Sequence, residues 1–208
     1  VAIATGATGM SICAALRPGR VRVRLRSDRM RIPTDESGPP LMSHNHTRIA
    51  IESADVWTEL TVGPEVNTVR IVASDLREAQ QQRARLHAEA VDRGESADNL
   101  AVFLDLEIYI AADARTARRE FAALDAPASP SSIRYVGTPS GLASLISDVT
   151  AADVADGVTL QVHGEIERQS TFLAAGVLPL LESRGTRLDT DVVDAILGAT
   201  RIAPTLAS

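Results

Sequence analysis

Two carboxylates, Asp105 and Glu107, stand one residue apart inside Leu100–Ala111, the most aliphatic and aromatic run of the chain. An extended backbone puts them on one face with Tyr109 beside them and turns Leu104, Leu106 and Ile108 to the other. Paired carboxylates on a core strand suit acid–base work beside a ligand. They equally suit pairing with arginines from neighbouring strands or contact with water, since a buried charge needs a partner. His163 follows the apolar run Gly157–Val162 and precedes Gly164. Histidine changes charge near neutral pH, so at a strand end it can transfer a proton or contact a ligand, or simply stand exposed in a loop. His44 and His46 flank Asn45 with no third ligand at suitable spacing, so no metal site is expected. Gly6-Ala7-Thr8-Gly9 lacks the preceding strand of a nucleotide-binding turn. No nucleophile–base pair stands out.

These residues need elements to hold them. From Ser53 onward the chain alternates strand and helix signals. Ala54–Thr58 reads as a short buried strand and Val69–Ala73 as another. A helix with Ser74 as N-cap carries Leu76, Ala79, Leu86 and Ala90 and stops at Gly94. After the Leu100–Ala111 strand, Asp113 caps a short helix reaching Leu124, and 126–132 is a Pro/Ser/Ala loop. Val136-Gly137-Thr138-Pro139 reads as a helix start, with Thr138 as N-cap and Pro139 in the first turn. Leu142, Leu145, Ile146 and Val149 then form one apolar stripe. Ser170 opens a helix with Leu173, Val177, Leu178 and Leu181, closed by Gly185, and the tail from Thr186 is weakly helical. Alternating units of this length imply a parallel sheet, open or closed into a barrel.

The first forty residues differ. They read as an irregular segment with a possible β-hairpin, Val21, Val23 and Leu25 alternating with arginines and Arg29–Ile32 returning. Residues 41–208 read as the β/α part. The chain has 208 residues, 45% hydrophobic and only 3% aromatic, so Ala, Val, Leu and Ile must build the core. A net charge of -6 argues against nucleic-acid or anionic-membrane binding. No residue is lysine, which with the abundant alanine points to a GC-rich coding bias and lowers the weight of any arginine cluster. The lone Cys13 forms no internal disulfide and fits a reducing cytoplasm. No apolar run is long enough to span a bilayer, and the start at Val1 points to a truncated or processed terminus.

Several segments, in order, resemble the luciferase-like flavin-dependent monooxygenases. Val136-Gly137-Thr138-Pro139-Ser140-Gly141 resembles the family's "VGTP" helix start, and Ala155-Asp156-Gly157-Val158 its "ADGF" lead into the last strand. Val177–Gly185 resembles its closing "VVPxLxxRG" helix, and Ile49–Val56 its "LAAxxADVV" helix-to-strand junction. Arg24–Ile32 resembles the stretch before its fifth strand. The resemblance implies an α/β fold of the TIM (β/α)8-barrel type, incomplete at the N-terminal half, because a whole barrel needs about 250 residues.

It further implies a flavin-dependent oxidoreductase acting on a small organic substrate with reduced FMN and O2. The flavin would come from a separate reductase, and the chain would work as a cytoplasmic homo-oligomer, without nucleic acid or membrane. Deazaflavin F420, transferring hydride without oxygen, is the alternative cofactor. The remaining alternative is a degenerate half-barrel serving as a structural partner without flavin. On the family's register Ser43, Asn45 and Thr47 fall where a flavin phosphate is held, although Thr47 stands at the usual arginine. Ser43 and Asn45 could instead cap a helix beginning near Thr47. Asp105, Glu107 and His163 would then lie inside the barrel near the flavin.

Overall fold

A computed structural model describes residues 47–198, apart from 54, 55, 125 and 127–130. Ser43, Asn45, both flanking histidines and the arginine-rich hairpin therefore lie outside the described residues. In chain order the main elements are β1 (Arg48–Ser53), β2 (Val56–Glu59), β3 (Asn67–Ile71), α1 (Leu76–Asp92), β4 (Leu100–Ile110) and α2 (Ala114–Ala123). They continue with β5 (Ile133–Gly137), α3 (Pro139–Ala151), β6 (Gly157–Val162) and α4 (Ile166–Phe172). One π-helical turn, Leu173–Val177, joins α4 to α5 (Leu178–Ser183), and α6 (Thr190–Leu197) follows.

The strands lie in the order β2-β1-β6-β4-β3, with β5 also paired to β4. Only β1 and β2 are antiparallel; every other pairing is parallel. The long β4 is the spine. Leu100–Leu104 pair with β3 and Leu106–Ile110 with β5, while Phe103–Ile108 pair with β6. Because β6 overlaps both registers, β3 and β5 must share one edge of β4 and β6 takes the other.

Side-chain alternation divides the sheet into two faces. Ile49, Ile51, Ile71, Val102, Leu104, Leu106, Ile108, Val158 and Leu160 point outward into the main core, which α1, α3 and α5 cover with Ala79, Leu142, Ile146 and Leu178. The other face carries Glu52, Arg70, Asp105 and Glu107, together with Phe103 and Ala50. This face is concave. In a flat sheet with ~4.8 Å strand spacing β3 and β1 would lie about 14 Å apart, yet Arg70 on β3 reaches Glu52 on β1 at 2.7 Å. The sheet therefore curls into part of a barrel, as expected, with the polar residues on its inside.

Right-handed crossovers place the helices. The step from β3 to β4 and the step from β5 back across β4 to β6 run in one direction, so α1 and α3 share the outer face. The step from β4 to β5 runs the other way, which sends α2 to the inner face. Its Ala117 and Phe121 accordingly pack on Tyr109, Ala111 and Val136.

Several local expectations are corrected. Residues 48–53 form a strand and not a helix. Arg48, Ala50 and Glu52 alternate with Ile49 and Ile51, a period of two that helix geometry would scatter around an axis. The strand expected at Ala54–Thr58 is β2, an edge strand with Val56 50% exposed, not a buried one. The N-cap of α1 is Asp75, which accepts from the Glu78 amide, while Ser74 donates to the Glu78 carboxylate from both its amide and its hydroxyl. The helix expected from Ser170 begins at Ile166, and Ile133–Gly137 is a strand that the helix-start reading of Val136–Pro139 overlooked. Among the described residues no helix is long and apolar enough to cross a membrane.

Candidate active site

The inner face is layered along the strands. At the N-terminal end Phe103 packs edge-on against Trp57, and the Arg48 guanidinium lies 5.4 Å from the Phe103 ring centre. Gly157 is required here: a Cβ would sit 2.8 Å from both the Arg48 carbonyl and a Phe103 ring carbon. The Trp57 indole donates to the Thr159 hydroxyl at 3.0 Å. Above it lies an ionic layer. Arg70 donates to Asp105 at 2.9 and 2.7 Å and to Glu52 at 3.1 and 2.7 Å, and the Gln161 amide also reaches Glu52 at 3.0 Å.

The third layer is the one with chemical scope. Arg134 of β5 donates to Glu107 of β4 through Nε at 2.6 Å, and His163, just past β6, meets the same Glu107 oxygen at 3.2 Å. Phe121 of α2 closes over them. Its ring centre is 4.9 Å from the Arg134 guanidinium carbon and 5.7 Å from the His163 ring.

The two carboxylates of β4 differ electrostatically. Burial pushes Asp105 above its ordinary range in spite of the Arg70 hydrogen bond and charge. Burial also pushes Glu107 upward, but Arg134 and His163 outweigh it and hold that carboxyl below the usual range. The Arg70 hydrogen bond likewise holds Glu52 low. An ionised Glu107 can only accept, so the His163 Nε2 that faces it must carry a hydrogen. In the neutral imidazole Nδ1 is then the basic nitrogen, and it is free to act on a ligand.

The chain connections diverge beyond this pair. After β4 the chain passes to the inner face in α2, and after β6 it passes to the outer face in α4. In open α/β sheets ligands sit beyond the C-terminal ends of strands whose connections diverge in this way, and here Phe121 covers that place. Where the two strands part, the buried Gln169 side chain of α4 takes the place of a strand: its carbonyl accepts from the Ile110 amide at 2.9 Å and its amide donates to the Ile110 carbonyl at 3.0 Å.

The structure thus brings Glu107 and His163 together at the C-terminal end of the sheet. Asp105 stands one layer below, 5% exposed and committed to Arg70. Thr47 lies at the opposite end, directly before β1, in a cleft with Thr150, Asp153 and Arg184. The six residues of the parallel β6 separate it from His163 by about 20 Å. The pairing of both carboxylates with arginines from neighbouring strands, one of the expected arrangements, is what the structure shows. Arg70, Arg134, Glu52 and Phe121 were not anticipated. Arg134 could have been found from Ile133-Arg134-Tyr135-Val136, an alternating run hidden by the helix start beside it.

No family model matches the chain, and no curated protein matches it in sequence. Solved structures do match. DmoA from Hyphomicrobium sulfonivorans aligns with a TM-score of 0.51 at 14% identity, over 59% of this chain and 38% of its own. A riboflavin lyase, RcaE, crystallised with modified FMN and riboflavin, aligns with a TM-score of 0.51 at 14% identity, over 80% of this chain and 56% of its own. The fold matches part of the fold of these two proteins, a curled, incomplete barrel sheet. The chain spans less than two thirds of either protein, and at this identity the likeness concerns the fold. In a β/α barrel the working groups stand at the C-terminal ends of the strands, which is where Glu107 and His163 meet.

Proposed function

We propose that this chain is a flavin-dependent oxidoreductase of the luciferase-like kind, a monooxygenase acting on a small organic substrate with reduced FMN and O2. The observation that carries the proposal is the Glu107–His163 pair at the C-terminal end of a partial barrel sheet. When bound, a reduced flavin supplies the electrons for oxygen chemistry. The chain's own part is to hold the ring, exclude water and move a proton. His163 does the last of these at Nδ1, with Glu107 orienting its ring and stabilising the imidazolium and Arg134 keeping Glu107 ionised. Phe121 covers part of the pair, leaving the Glu107 side chain 10% and the His163 side chain 28% exposed.

The described residues suit a ring system at this end more than its phosphate. Arg134 and Arg168 are both in ion pairs, and Thr47 is at the far end. Ser43 and Asn45, the other residues expected at the phosphate, lie outside the described residues. The place of Thr47 at the far end supports a second reading, a half-barrel that serves as a partner subunit without flavin. F420-dependent hydride transfer would use the same pair without oxygen. On the first reading a separate reductase supplies the flavin, a second copy or another chain completes the barrel, and the setting is cytoplasmic.

The test is an anaerobic titration with FMN, reduced FMN and F420, following Trp57 emission from the inner face. Saturable stoichiometric quenching by reduced FMN, lost in His163→Ala or Glu107→Ala, supports the monooxygenase. Saturation by F420 alone moves the reaction to hydride transfer. No quenching by any of the three, with a folded circular dichroism spectrum, supports the partner subunit.

A further inference from the structure

Helix α2 lies on the inner face, over the Glu107–His163 pair. Its sequence, Ala114-Arg115-Thr116-Ala117-Arg118-Arg119-Glu120-Phe121-Ala122-Ala123, is rich in good helix formers, and Asp113 caps it by accepting from the Thr116 amide at 2.9 Å. The helix is therefore well made in itself. Its docking is slight. Ala117 is its only buried residue, whereas α3 buries five, and Phe121 one turn on is the single large side chain it sets on the sheet.

What those few contacts hold down is the pair described above. Phe121 touches Tyr109, Arg134 and His163, with ring-centre separations of 5.8 Å to Tyr109 and 5.7 Å to His163. The preceding residue, Glu120, accepts from the Tyr109 hydroxyl at 3.1 Å and pairs with Arg168 of α4 at 2.9 Å. Arg168 is 41% exposed, so water reaches this bond and weakens it. A helix held by one aromatic ring, one alanine, one hydrogen bond from Tyr109 and one wet ion pair belongs to the less stable end of local opening.

We infer that α2 is a lid over the Glu107–His163 pair, with Phe121 as its plug and Glu120–Arg168–Tyr109 as its latch, and that it lifts as a unit to admit a ligand to His163. The plug is aromatic and lies over a guanidinium and an imidazole, so the ligand that replaces it is planar and unsaturated. The inference rests on the reading of Glu107 and His163 as the working pair, though not on flavin.

The experiment is hydrogen–deuterium exchange of the full chain without cofactor, combined with carbethoxylation of its histidines read by mass spectrometry. In the unmodified protein α2 amides should exchange at least about tenfold faster than those of α3. Phe121→Ala should raise the labelling rate of His163 by about tenfold while His87 stays unchanged. Arg168→Gln, which removes a side chain that is 41% exposed and leaves the Phe172 ring beneath it in place, should raise it several-fold and guards against misfolding of the first variant. Protection of α2 equal to that of α3, or His163 labelling unmoved in both variants, overturns the lid. A chain that opens α2 yet binds no flavin loses only the cofactor assignment. One that binds reduced flavin while α2 stays fully protected loses only the lid.

Discussion

Asp156, directly before β6, joins three elements, and its removal should be costly by a predictable amount. Its carboxylate accepts from the buried Val102 amide at 2.8 Å, from Arg83 Nε at 2.9 Å and from His87 Nε2 at 2.9 Å, so it ties α1 to the N-terminal ends of β4 and β6. Asp156→Ala leaves the Val102 amide without an acceptor, at about 1–3 kcal/mol. It also strips Arg83 and His87 of a carboxylate that water only partly reaches, adding about 1–2 kcal/mol. The expected loss is about 3–4 kcal/mol, or roughly 10 °C in Tm for a chain of this size. Asp156→Asn keeps an acceptor for Val102 and should lose about half as much. Urea unfolding followed by circular dichroism and Trp57 emission measures both, with an unchanged denaturant slope as the check that the unfolded state is the same. The pH dependence has a definite sign. Burial raises the Asp156 carboxyl, but Arg83, the Val102 amide and His87 outweigh it and hold it below its usual value. Its contribution is therefore complete above the unfolded value near ~3.9 and fades as pH falls through the lower folded value. A loss in Asp156→Ala under about 1 kcal/mol, or one that persists undiminished in strong acid, would refute the reasoning.

Other substitutions test other parts of the sheet. Asp105 is held above its ordinary range by burial, so the neutral Asp105→Asn should be near neutral or stabilising at pH 7, opposite in sense to Asp156→Asn; a loss above about 2 kcal/mol in urea unfolding would show that the Arg70 pair dominates. Gly157→Ala forces a methyl against the Arg48 carbonyl and the Phe103 ring and should cost about 1–3 kcal/mol in a thermal melt. Gln169→Leu keeps the volume but strands the Ile110 amide and carbonyl, so a destabilisation of about 2–4 kcal/mol is expected, with amide exchange at the end of β4 accelerated.

Elements with a strong local signature were legible in the sequence. The Leu100–Ala111 run is β4, the Asp113 and Thr138 caps stand where expected, and the alternation of Asp105 and Glu107 with Leu104, Leu106 and Ile108 assigned them to one face. What was missed depended on long-range pairing. The period of two in Arg48–Glu52 was overridden by a likeness to a helix-to-strand junction, and β5 is too short to announce itself beside a clear helix start. Sheet order cannot be read from local pattern, because β6 skips β5 to pair with β4. For the same reason Arg70 and Arg134 could be expected only as unnamed partners of the carboxylates, and Phe121 only as a residue of a short helix.

Arg70 has a mechanical meaning for the whole curl. Its side chain is a chord drawn across an arc: it leaves β3, meets Asp105 on the next strand and ends on Glu52 of β1, two strands further on. An arc with a fixed chord has a fixed radius, so this one guanidinium gauges the curvature of the sheet. The chord also lies across the lumen. Seen from the His163 end it forms a floor, with the aromatic layer of Trp57 and Phe103 beneath it.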